Sequence, residues 1–74
     1  MKSFEHLNYH VFPAGQQLQS GKWMALASLI RWQGEEMLVM PVSWYPPEFD
    51  TEQAAVAHAA ASAQDMIDAG RCRL

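Results

Sequence analysis

The sequence predicts an α+β domain: a three-stranded antiparallel meander with one C-terminal helix packed on one face, in the order β-β-β-α. Three observations predict it. An alternating apolar run opens the chain, two nearly continuous apolar runs follow on either side of Gln33-Gly34-Glu35-Glu36, and an alanine-rich stretch with helix-start and helix-stop residues closes it. With 74 residues the chain has room for one domain, spanning 1–74.

The first strand is expected over about 4–12, because Leu7, Tyr9 and Val11 alternate with His6, Asn8 and His10, the period of a sheet with two unlike faces. Pro13, Ala14 and Gly15 are read as its end, and the polar stretch 16–22, punctuated by Gly21, as a loose hairpin connection. The run 23–32 is apolar on both sides and short, which favours a central strand over a helix. A third strand is expected over 37–45. Pro41 within it lacks an amide donor, so the strand belongs at an edge, and Pro46-Pro47 are expected to stop the sheet.

Helix signals then come together. Asp50 is a good N-cap with Gln53 three residues on, Thr51 and Glu52 fill the first turn, and Gly70 stands where a left-handed C′ residue belongs, predicting a helix over about 51–69 and a short tail over 70–74. Val56, Ala59, Ala60, Ala63, Met66 and Ile67 recur at three and four residues as the buried stripe.

A two-residue turn at Gly34-Glu35 would set Trp32 opposite Met37, Leu29 opposite Met40, Ala27 opposite Val42 and Ala25 opposite Trp44. One face then carries Ala25, Ala27, Leu29, Leu38, Met40, Val42 and Trp44, whose small central residues suit the helix. The other carries Met24, Leu26, Ser28, Ile30, Trp32, Met37, Val39, Pro41 and Tyr45. No second helix is expected to cover it, unless the termini or Pro46-Pro47 fold over. From this face Met24, Leu26, Ile30, Trp32, Val39 and Tyr45 are the candidate interaction surface.

Composition narrows the functional classes. Eleven of the hydrophobic residues are alanines, seven of them between Ala54 and Ala63, so large core side chains are scarce and the stability margin is thin. A net charge of −3 provides no positive field for phosphates or anionic lipid, which disfavours nucleic acid and membranes as partners. Neither a signal-peptide core nor a stretch of about 20 apolar residues is found, and a cytoplasmic location is the default expectation. Cys72 is the lone cysteine and is read as an exposed thiol in a mobile tail.

The residues that could carry chemistry do not form a recognisable constellation. On one strand His6 and His10 would stand about 13 Å apart, whereas that spacing unites two ligands only on a helix. His58 has no matching ligand four residues away, so no metal is expected. Glu35-Glu36 in a turn, and Asp65 with Asp68 on a helix surface, read as solvated charge. Ser20, Ser28, Ser43 and Cys72 lack a nucleophile elbow, and four glycines build no phosphate cradle, so no cofactor is expected. A pocket of useful size is hard to build in one thin domain, and enzyme is the least favoured class.

From Phe49 the run Phe-Asp-Thr-Glu-Gln-Ala-Ala, continued to Met-Ile-Asp-Ala-Gly, resembles the helix of small bacterial strand-strand-strand-helix proteins. Trp23-Met24-Ala25 after Gly21-Lys22 resembles their second strand. The likeness covers about two-thirds of the chain. The layout is similar to HicB-like antitoxin domains and, more distantly, to double-stranded RNA-binding domains. It departs from the first in lacking a proline-glycine segment, and from the second in having Asp50 and Glu52 where lysines open the helix. The resemblance implies a fold and carries no functional residue across.

Two functional readings follow. The first is a non-catalytic interaction module, binding itself as a homodimer or another protein through the open face. The alternative is a small regulator associated with nucleic acid, antitoxin-like or stacking single-stranded bases on Trp23 and Trp32 beside Lys22 and Arg31.

Overall fold

The computed structural model describes residues 3–72 and shows an α+β fold with an antiparallel sheet and one C-terminal helix. The sheet has four strands, in sequential order: β1 (Phe4–His6), β2 (Tyr9–Gln17), β3 (Trp23–Gln33) and β4 (Glu36–Phe49), followed by α1 (Glu52–Asp68).

The expected first strand over 4–12 is therefore a hairpin. Its turn is Leu7-Asn8, with His6 paired to Tyr9 and Leu7 at φ 55°. Leucine rarely takes this left-handed conformation, and no glycine marks the turn, so periodicity alone runs through it. Pro13, Ala14 and Gly15 do not end a strand either. They lie inside β2 and pair with Ala27, Leu26 and Ala25. β1 pairs only with Tyr9–Val11, so the part of β2 that holds Pro13 has an open outer edge, where a missing amide hydrogen costs nothing.

Between β3 and β4 the expected register is present: Trp32 with Met37, Leu29 with Met40, Ala27 with Val42, Ala25 with Trp44. Gly34 at φ 64° occupies the first position of the two-residue turn, where a positive φ is required in a II′ hairpin. β4 lies at the sheet edge, as Pro41 demands. Pro46 and Pro47 do not stop the sheet. The strand continues through a bulge opposite Met24 and pairs Phe49 with Trp23.

α1 begins one residue later than its acidic flank predicts. Thr51 is the N-cap, its hydroxyl accepting from the Ala54 amide at 3.1 Å, while Asp50 turns to Lys22 at 3.4 Å. At the other end Gly70 takes φ 71°, and the amides of Gly70 and Arg71 donate to the carbonyls of Ile67 and Met66, the paired bonds of a Schellman stop. The buried stripe is Ala55, Val56, Ala59, Ala60, Ala63 and Ile67. Ala55 joins it and Met66 is only half-buried.

The helix lies mainly over β2 and β3, on the side of Val11, Ala25, Ala27 and Leu29. Two clusters form the core. Val11, Ala27, Leu29, Ala63 and Ile67 pack with Phe4, Tyr9, Met40 and Val42, and Ala25, Ala55 and Ala59 pack with Trp23 and Phe49; Trp44 touches both. Among the described residues only Leu29 and Val11 are large side chains with essentially no exposure. At this chain length such a core rarely contributes more than about 3–5 kcal/mol.

Candidate interaction site

The face of the sheet away from α1 follows from the register. Its cross-strand layers are Ala14, Leu26 and Ser43, then Phe12, Ser28 and Pro41, then His10, Ile30 and Val39, and finally Trp32 with Met37. Met24 and Tyr45 lie at the far end, beside the bulge. All six residues expected at the interaction surface fall on this face. Trp32 is 64% exposed, Tyr45 56% and Val39 47%, whereas Met24, Leu26 and Ile30 are half-buried between their neighbours. Phe12 and Met37 add to the exposed apolar area.

Phe12 is not among the expected interaction residues, because a first strand read as ending at Phe12 has no register with β3 that assigns its face. Its recognisable signal was the even-numbered alternation His10, Phe12, Ala14 continuing across Pro13. In the structure the His10 and Phe12 rings stack with centroids 4.7 Å apart.

Apart from the hydroxyls of Ser28 and Ser43, the polar groups named on this face lie at its margins. Glu5 approaches His10 at 3.8 Å on the β1 side, and the Tyr45 hydroxyl donates to Glu48 at 2.9 Å on the β4 side. That bond favours the protonated phenol, and the nearby Glu48 charge opposes its ionisation, so Tyr45 titrates above its ordinary range. Among the described residues no element lies over this face: Pro46-Pro47 extend β4 instead of folding back, while residues 1, 2, 73 and 74 lie outside the description.

The other candidates are dispersed. His6 and His10 are in different strands and on opposite faces: His6 Nε2 lies 2.7 Å from Asp68 Oδ1 of α1, so Asp68, though exposed, is a hydrogen-bond partner of His6. No group of three or more His, Cys, Asp or Glu that could hold a metal occurs among the described residues, and none of their charged or polar side chains is buried. Cys72 is not an exposed tail thiol. It is half-buried against the Val11–Leu29 cluster and next to Tyr9. Trp23, Trp32, Lys22 and Arg31 do not share a surface: Trp23 packs under the helix, Trp32 points the other way, Lys22 is paired with Asp50, and Arg31 stands 5.8 Å from the Tyr9 ring centre.

A depression of about 620 Å³, larger than expected, lies open to solvent between β2 and the start of α1, lined by Pro13, Ala14, Gly15, Glu52, Gln53, Val56 and Ala57. Its walls are small side chains with one carboxylate and one amide, without the convergent polar groups that orient a small ligand. Among the described residues no helix is long and apolar enough to cross a membrane. Comparison with known protein families, characterised proteins and solved structures found no match.

Proposed function

We propose that this chain is a non-catalytic protein–protein interaction module whose helix-free sheet face is the binding surface. The observation that carries the reading is the continuity of that face. Phe12, Trp32, Met37, Val39 and Tyr45 are each between 44% and 64% exposed, and Met24, Leu26 and Ile30 fill the space between them.

Single exposed hydrophobics are ordinary on a protein surface, whereas a contiguous patch across three strands marks a contact surface. Trp, Tyr, Phe and Met are the side chains enriched at interface centres, where large area is buried with few rotatable bonds. A general acid or base needs a sheltered setting to shift its protonation, and the described residues have no buried titratable group to serve as one.

The reading is tested by replacing Ile30 or Trp32 with Asp and measuring association, whether with itself or with another protein. Both variants should lose it, because an unpaired carboxylate at the centre of a dry contact costs several kcal/mol. Association that persists in both would place the binding surface elsewhere.

A further inference from the structure

We infer that the occupant of the open face is a second copy of this chain, stacked sheet against sheet with the two helices outside, and that the fold depends on it. The inference rests on the interaction-module reading and names its partner.

Three observations on this molecule point to a copy. First, the large side chains are distributed the wrong way for a self-sufficient monomer. Among the described residues six of the ten buried hydrophobics are alanines and only Leu29 and Val11 are large and fully enclosed, while five large hydrophobics stand in water on the other face. A domain this size with so small a core needs a staple, and the described part has one free cysteine and no metal cluster. A partner that completes folding must be present wherever the chain is made, and a second copy always is.

Second, the face has the area and neutrality for a copy. The five exposed side chains, at about 150–250 Å² for a whole aromatic group, present on the order of 500 Å². Half-buried neighbours bring the face toward the roughly 800 Å² that each partner contributes to a standard interface. Across β2, β3 and β4 the layers between Ala14 and Met37 contain no charge other than His10, and Glu5, the β1 member of the His10 layer, stands at the margin 3.8 Å from it. A chain with net charge −3 can thus meet itself there without opposing like charges, and no charge pattern on the face selects a different protein.

Third, the other routes to self-association are blunted. The open edge of β2 contains Pro13, and β4 contains Pro41, Pro46 and Pro47, so neither edge can offer a full ladder to an added strand. With a two-fold axis at the level of Ser28 and Pro41, the bulky Ile30–Val39 layer of one copy falls over the smaller Leu26–Ser43 layer of its partner, large on small as packed sheets require.

The experiment is sedimentation equilibrium of the full chain in reducing buffer over about 1–100 μM, paired with thermal unfolding at the same concentrations. A dimer whose unfolding midpoint rises with concentration is expected. Trp32→Glu and Val39→Lys should weaken it about 100-fold or more, and Ala57→Lys on the exposed side of α1 should leave it intact. If the two face variants do not fold, the concentration dependence of the unmodified chain still decides. A folded monomer with a concentration-independent midpoint overturns the second copy and leaves the face for a different protein. A dimer indifferent to both face variants overturns the interaction-module reading as well.

Discussion

Gly15 is a point of close approach between helix and sheet, and enlarging it tests the packing directly. It lies on the helix side of β2 opposite Ala25. A β-carbon there would stand 3.2 Å from Cβ of Ala55 and 3.3 Å from both Cγ and the carbonyl oxygen of Glu52. Carbon pairs prefer about 3.5–4.0 Å, so even one methyl asks for several tenths of an ångström. The Glu52 side chain can rotate away, but the Ala55 methyl and the Glu52 carbonyl are attached to the helix frame and move only with it.

For Gly15→Ala the cost of that shift is offset by the ~0.5–1 kcal/mol recovered when glycine leaves a strand, and a net change within about 0.5 kcal/mol is expected. Valine adds two branches in the same gap. Overpacking of this kind costs about 1–3 kcal/mol, and lifting the first turns of α1 also loosens Ala55 and Ala59, so we expect Gly15→Val to cost about 2–3 kcal/mol. On the usual per-residue scale a chain this long has about 4–11 kcal/mol in all. Urea unfolding followed by far-ultraviolet circular dichroism measures the difference. A Gly15→Val midpoint equal to the unmodified protein's would refute the close approach of α1 to β2.

Three further outcomes are expected. Thr51→Ala removes the only side-chain acceptor for the Ala54 amide and should lower stability by about 1 kcal/mol, whereas Asp50→Ala, at the position the sequence favours for the cap, should change it by less than half as much; urea midpoints compare the two. Leu7→Gly relieves a left-handed leucine that is 70% exposed and so loses little packing; a gain of about 0.5 kcal/mol is expected, and a loss would mean the turn is held by contacts of the leucine side chain. Burial first, then hydrogen bonding and charge at Cys72, hold the Tyr9 phenol protonated above its ordinary range, with Arg31 pulling the other way. The unfolded chain therefore ionises Tyr9 first: stability is fully present below about pH 10 and falls as pH rises through the folded-state value, a fall that Tyr9→Phe should make shallower in alkaline unfolding curves.

What could be read from the residues was whatever depends on local chemistry and strict alternation. Gly34 sets the β3–β4 turn, and from that turn every pairing from Trp32–Met37 to Ala25–Trp44 follows, because a strand repeats every two residues. The same alternation separated Ala25, Ala27 and Leu29 from Leu26, Ile30 and Trp32, and so identified the open face. Gly70 and the alanine stripe defined the helix for an equally local reason.

Tertiary structure decided the rest. Leu7 can turn the chain only because the pairing of Phe4–His6 with Tyr9–Val11 outweighs the cost of its positive φ, and no local preference announces that trade. Pro13, Pro46 and Pro47 look like strand breakers in isolation. They are tolerated because they fall on open edges or at a bulge, where position in the sheet, not residue type, determines whether a missing amide hydrogen matters. Thr51 displaces Asp50 as the cap because β4 continues to Phe49, whose pairing with Trp23 leaves Asp50 beside Lys22. Composition and period thus determined which side chains share a face, while the strand edges and the extent of each ladder were determined by contacts between segments far apart in the chain.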